Sequence, residues 1–164
     1  MKKYKDSEKA AISREFFEKG YILQMSGHLD RASKFYKRSI EFLPTAKAHT
    51  FLGWIFSMKG LYDRAIDECK NAIKLDPSFG NPYNDIGAYL IQQKKYTEAV
   101  DWLEKALHAP NYENYCFPNI NLGRVYEQKG DWNKALRYYQ KAITENPEYK
   151  PAQMALEKLT GKYN

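Results

Sequence analysis

Four glycines, Gly20, Gly53, Gly87 and Gly123, recur at steps of 33, 34 and 36 residues, and four alanines, Ala32, Ala65, Ala99 and Ala135, recur at the same steps. Each pair lies 12 residues apart, with apolar residues at helical spacing around both members. Small residues at matched positions let two helix backbones approach, and larger neighbours fill the space that remains. One such helix pair cannot bury its apolar face alone, so a fourfold repeat must stack copy on copy.

The clearest copy is 46–79. Leu52, Gly53 and Phe56 share one face of a first helix, Gly60 makes the turn, and Pro77 closes the copy. Tyr62, Ala65, Ile66, Cys69, Ala72 and Ile73 share one face of the second helix. Upstream, Ser7 reads as an N-cap with Glu8 in the first turn. The helix that follows runs to about Met25 with Ala11, Ile12, Phe16, Gly20 and Leu23 inward. Ser26-Gly27-His28 turns the chain into a second helix, about Leu29 to Phe42, with Ala32, Phe35, Tyr36, Ser39 and Ile40 inward and Pro44 beyond it. The third copy opens on Gly80-Asn81-Pro82, with proline at the first helical position. It buries Ile86, Gly87 and Leu90, then Tyr96, Ala99, Leu103, Ala106 and Leu107, and turns on Lys94-Lys95 in place of a glycine. The fourth carries Leu122, Gly123, Tyr126, Gly130, Trp132, Ala135, Tyr139, Ala142 and Pro147. A last segment, about 148–159, with Ala152, Ala155, Leu156 and Leu159 on one side, reads as a cap over the fourth copy.

These residues resemble the tetratricopeptide repeat (TPR) pattern four times, at about 13–45, 46–79, 80–113 and 116–149. The second and fourth copies carry the likeness best, through Leu52-Gly53, Phe56, Gly60, Tyr62, Ala65, Ala72 and Pro77, and through the fourth-copy residues named above. The resemblance covers nearly the whole chain. It implies an all-α, right-handed TPR superhelix (an α-solenoid) of four helix-turn-helix repeats with a C-terminal cap helix, in one domain over 1–164. Three departures stand out. Lys19 occupies a usual leucine position, Pro110 comes early in the third closing turn, and Asn114 and Tyr115 are two extra residues before the fourth copy.

Packing such copies needs apolar filling, and 43% hydrophobic residues with 15% aromatics and 14 tyrosines supply it. The net charge of +6 is uneven: residues 80–115 hold 3 Lys/Arg against 5 Asp/Glu, whereas 1–45 hold 10 against 6 and 116–164 hold 8 against 5. Mild basicity without dense Lys/Arg runs argues against nucleic acid as a partner. Arg31, Lys34 and Arg38 align on one helix face, with Lys37 beside them and Lys2, Lys3 and Lys5 near in sequence; a solvated face is the bland reading, contact with an acidic protein, a membrane surface or RNA the sharper one. Cys69 and Cys116 read as buried thiols rather than a disulfide framework. MKKYKDSEKAA has a basic start but no apolar region after it, so no signal peptide is expected, and no run reaches membrane-helix length. A cytoplasmic protein follows as the expectation.

Catalytic chemistry finds no constellation. His28, His49 and His108 belong to no ligand set at metal spacing, and no phosphate loop or nucleophile elbow is present. The reading is no enzyme, no metal, no cofactor and no small-molecule substrate.

What remains is the opposite face of each first helix, taken at about 100° per residue. It carries Arg14, Phe17, Glu18, Tyr21, Gln24 and Met25 in the first copy, and Lys47, Thr50, Phe51, Trp54 and Met58 in the second. The third has Asn81, Asn84, Asp85, Ala88, Ile91 and Gln92, and the fourth Phe117, Ile120, Asn121, Arg124, Glu127 and Gln128. In TPR proteins this face lines a concave groove that takes an extended peptide or a helix. The resemblance therefore implies a protein or peptide partner, anchored by Phe17, Tyr21, Met25, Phe51, Trp54 and Met58 and oriented by Asn84, Asn121 and Arg124. Other readings of the aromatics stay open: packing between repeats, cover by residues 1–12, and a structural role in which they make a homodimer contact or dock on a larger assembly such as a secretion or pilus machine. TPR proteins that clamp acidic chaperone tails use Lys, Asn and Arg on successive first helices. The matching sites here are Phe17, Tyr21, Phe51, Asn81 and Asp85, or one repeat later Thr50, Trp54, Asp85, Phe117 and Asn121. Neither set supplies the cations, so no such clamp is expected.

Overall fold

A computed structural model describes residues 5–161. Among them are nine helices: α1 (Asp6–Met25), α2 (Leu29–Phe42), α3 (Ala46–Met58), α4 (Tyr62–Leu75), α5 (Asn81–Gln92), α6 (Tyr96–His108), α7 (Cys116–Gln128), α8 (Trp132–Glu145) and α9 (Lys150–Gly161). The chain divides after Pro77 into two compact units, α1–α4 and α5–α9. Consecutive helices pack as the pairs α1/α2, α3/α4, α5/α6 and α7/α8.

The small residues sit where the pairs cross. A Cβ on Gly20 would come within 2.9 Å of the Tyr36 ring, and one on Gly53 within 3.0 Å of the Ala65 carbonyl. A Cβ on Gly87 would overlap Leu103, and one on Gly123 the ring of Tyr139. Ala32, Ala65, Ala99 and Ala135 are wholly buried opposite them. The residue that covers each glycine is thus Tyr36, Cys69, Leu103 or Tyr139, one position in four copies. In the outer two copies a phenol is anchored across the pair, Tyr36 donating to Gln24 Oε1 at 2.7 Å and Tyr139 to Glu127 Oε2 at 2.8 Å.

The turns follow the same phase. Gly27, Gly60 and Gly130 have φ of 78°, 73° and 75°, and Lys94 takes the fourth such place with φ 60°. That is left-handed backbone, which a Cβ disfavours. Thr45 caps α3 by accepting from the Ala48 N–H at 3.1 Å, and Asp131 caps α8 by accepting from the Lys134 N–H at 3.1 Å.

In the first unit, Ser13 and Ser39 are buried and face each other across α1 and α2, the Ser13 hydroxyl donating to the Ser39 carbonyl at 2.9 Å and the Ser39 hydroxyl to the Ser13 carbonyl at 2.8 Å. In the second, the α6–α7 loop explains the irregular third copy. Phe79 and Asn111 form a parallel bridge, with Asn111 N–H donating to Ser78 O at 2.9 Å and Gly80 N–H to Asn111 O at 3.2 Å. Pro110 and the two extra residues thus belong to a strap laid across the start of α5, and it packs Tyr112 so tightly on Gly80 that no Cβ fits there. The cap α9 closes the second unit, with Ala152 and Leu159 in one core with Cys116, Ile120, Ala135, Tyr139 and Ala142.

Several local expectations are corrected. Ser7 lies inside α1, whose cap position is Lys5; Glu8 accepts from the Lys5 N–H at 2.8 Å, so the carboxylate, not the hydroxyl, satisfies the helix start. Ala11 is exposed rather than inward. α5 begins at Asn81 with Gly80 at the cap, one residue earlier than proline's preference suggests, and the cap helix begins at Lys150. Cys69 and Cys116 are both buried as expected. Lys2 and Lys3 lie outside the described residues, as does most of the N-terminal tail.

Candidate functional site

The α1/α3 face of the first unit holds a cluster of rings. Phe17 and Phe51 meet edge to face at 5.2 Å, Tyr21 lies 5.9 Å from Phe51, and Tyr36 on α2 supports both phenylalanines at 5.3 and 5.8 Å. The Lys47 ammonium stands 5.0 Å from the centre of the Phe17 ring. Phe17, Glu18, Tyr21, Ile22, Lys47 and Phe51 line a cavity of about 500 Å3.

Packing and exposure divide this set. Phe17 and Phe51 are half-buried and make the cavity wall, so the packing reading holds for them in part. Tyr21, Met25, Trp54 and Met58 are 44%, 68%, 38% and 57% exposed, far more than core positions of the same repeats allow. Ile22, which comparison of the copies does not single out, is 64% exposed beside them. Thr50, expected on this face, is instead buried and bonds back to the Ala46 carbonyl at 2.8 Å.

The α5/α7 face of the second unit is a row of hydrogen bonds. Arg124 Nη1 donates to Asn121 Oδ1 at 3.3 Å, Asn121 Nδ2 to Asn84 Oδ1 at 3.1 Å, and Asn84 Nδ2 to Asp85 Oδ1 at 3.5 Å. Arg124 is exposed, Asn84 and Asp85 are half-buried, and Asn121 is buried, so Asn121 links its neighbours more than it faces solvent. Ile120 is buried rather than groove-facing, and Phe117 packs edge-on against Tyr149 at 5.4 Å. Burial, opposed only by the Asn84 amide, pushes the Asp85 carboxyl up to about 7. Burial raises the Tyr112 phenol well above its ordinary value, and the Asp85 charge adds to it.

The basic residues Arg31, Lys34, Lys37 and Arg38 on α2 are all exposed. Arg38 pairs with Glu41 at 2.8 Å, which fits a solvated face. A larger cavity, about 770 Å3, lies at the α7–α8 turn against Leu159 and Thr160 of the cap helix, with Trp132 and Leu136 on its wall. Among the described residues no group of His, Cys, Asp or Glu could hold a metal ion, and no helix is long and apolar enough to cross a membrane.

Paired helices, in-phase small residues and exposed first-helix faces define an all-α helical-repeat protein. Residues 46–79 and 79–144 each match a family model described as tetratricopeptide repeat, together more than half of the sequence, and the chain belongs to that family. The uncharacterized protein ycf37 of Guillardia theta is 37% identical over 117 residues, which cover 68% of this chain and 64% of that protein. The type IV pilus assembly protein PilF of Pseudomonas aeruginosa is 27% identical over 128 residues, 77% of this chain and 50% of that one. A solved structure of Pseudomonas aeruginosa pilF superposes with a TM-score of 0.87 at 23% identity, over 95% of this chain and 71% of its own. The structure of YrrB, described as a TPR protein with an unusual peptide-binding site, superposes with a TM-score of 0.67 at 20% identity, over 90% of this chain and 76% of its own. These likenesses show the all-α TPR solenoid fold. The chain spans 64%, 48% and 21% of the length of three curated relatives it matches.

Proposed function

We propose that this chain is a non-catalytic adaptor, acting in the cytoplasm as one TPR domain, that holds a peptide or helix of a partner protein on its first-helix faces. The observation that carries this reading is the α1/α3 surface, where Tyr21, Met25, Trp54 and Met58 stand exposed beside a ring-walled cavity. Aromatic and methionine side chains on that scale offer adaptable apolar contact to an incoming side chain. Asn84 and Arg124 orient the ligand through hydrogen bonds, with Asn121 bracing both. The test is capture of partners by the full chain and by a Tyr21→Ala, Trp54→Ala double variant, with bound proteins identified by mass spectrometry. Capture lost from a variant that melts like the wild type supports the adaptor; the same partners on both proteins sink it. Phe51→Ala is a poorer probe than its exposure in sequence suggests, because three other rings lean on it.

A second reading makes the chain a structural subunit of a larger assembly, or a homodimer, through the same aromatic surface. Its support is the likeness to PilF, a pilus assembly protein by name. Sedimentation across a concentration series separates the two: a dimer that dissociates on Trp54→Ala favours self-association, and a monomer at every concentration removes it.

A further inference from the structure

The second unit holds a carboxylate, Asp85, that has no counter-charge among the described residues. Asp85 follows Asn84 on α5 and is half-buried, and its charge reaches Tyr112 of the strap that packs on Gly80 at the start of the helix. Among the described residues its side chain accepts one long hydrogen bond, from Asn84 Nδ2 at 3.5 Å, and no cation pairs with it. The exposed cation of this face, Arg124, is spent on Asn121, at the other end of the row. Half-burying a carboxylate without a cation is unfavourable, and a protein that only needed a stable α5 would do better with an amide there. The cost is recovered if something outside the chain brings a positive charge.

We propose that Asp85 is the specificity-determining residue of the α5/α7 face, and that it seats a lysine or arginine side chain of the ligand peptide. This inference rests on the adaptor reading and names the chemistry of its ligand. A basic side chain brought to Asp85 would favour its ionised form, and among the described residues it would compete with no cation there. The donors of the row, from Arg124 through Asn121 and Asn84, all point toward Asp85, so the row has a positive and a negative end and the ligand has a direction on it. The charge of the local sequence agrees. Residues 80–115 have 3 Lys/Arg against 5 Asp/Glu, in a chain whose net charge is +6. The shift of the Asp85 carboxyl to about 7 has the same origin, and a bound cation would reverse it.

The experiment is selection of the full chain against a library of random dodecapeptides, with three proteins compared: wild type, Asp85→Asn and Asp85→Lys. Wild type is expected to select peptides with Lys or Arg at one fixed position, and replacing that residue by norleucine should weaken binding on the order of tenfold or more. Asp85→Asn should lose that discrimination while keeping the apolar preferences of the selected peptides. Asp85→Lys should move the position to Asp or Glu. A cation preference that persists in Asp85→Asn, or wild-type peptides with no basic position, overturns the inference. Selection that is cation-blind but lost on Trp54→Ala overturns it while the adaptor reading stands. If wild type selects no peptide, the adaptor reading fails and this inference fails with it.

Discussion

The first-helix faces of the two units are built by opposite means. On α1/α3, apolar side chains that the repeat does not need for stacking stand out from a ring cluster, and the surface is adaptable because methionine and exposed aromatics are. On α5/α7, polar side chains are tied to one another in a row that runs from Arg124 to a carboxylate with no counter-charge among the described residues. The scaffold beneath is the same, a glycine on the first helix against a close-packed residue on the second. The difference teaches that the helix pair sets where a surface lies, while a few exposed positions decide whether it works by apolar area or by charge.

Four measurements would break or sharpen that contrast. The largest effect is expected from Phe51→Ala, which removes a ring in contact with Phe17, Tyr21 and Tyr36 and should destabilise the first unit by about 2–4 kcal/mol in urea unfolding. Trp54→Ala should cost about 1 kcal/mol or less while removing capture; equal costs for the two would mean that the exposed and supporting rings are not distinct.

Next is Asp85→Asn, expected to stabilise the second unit by about 1–3 kcal/mol at pH 8. The sign follows from the raised pKa. Between the ordinary value of 3.8 and about 7 the folded chain holds a proton that the unfolded chain releases, so wild-type stability falls as pH rises through that window. The advantage of Asn should vanish near pH 4. Melting curves at pH 4, 6 and 8 check it, and a gain that does not change with pH would show that Asp85 carries no unpaired charge.

A smaller effect distinguishes the turns. Lys94 stands at φ 60° where its counterparts are glycines, so Lys94→Gly should raise stability by about 0.5–1 kcal/mol, and Gly60→Lys should lower it by a similar amount. The smallest is Arg38→Ala, which breaks an exposed pair with Glu41 and should change stability by less than about 0.5 kcal/mol. A larger loss would show that the α2 basic face does more than meet solvent.

How much of this was legible beforehand differs by element. The glycine and alanine phases, the turn positions and the buried residues of α4, α6 and α8 read directly, because packing repeats them in every copy. The helix start at Lys5 did not, because Glu8 meets the Lys5 N–H from three residues along where a hydroxyl at Ser7 was expected. Thr50, Ile120 and Asn121 were assigned to an open face by helical periodicity alone. Ile120 is buried because it packs with Ala135 and Tyr139 of α8 and Ala152 and Leu159 of α9, Asn121 because α7 also lies beside α5, where it bonds Asn84, and Thr50 bonds back to its own helix. Periodicity describes one helix and cannot count its neighbours.

By itself the sequence determined the repeat, its period, its turns and its family, since these rest on small residues and turn chemistry written into each copy. The tertiary structure alone decided what the exposed faces are. Asp85 reads in sequence as one more polar groove residue. Folding half-buries it with the Asn84 amide as its hydrogen-bond partner, while an irregular strap returns to the start of α5 and packs Tyr112 on Gly80, close enough for the Asp85 charge to raise the phenol.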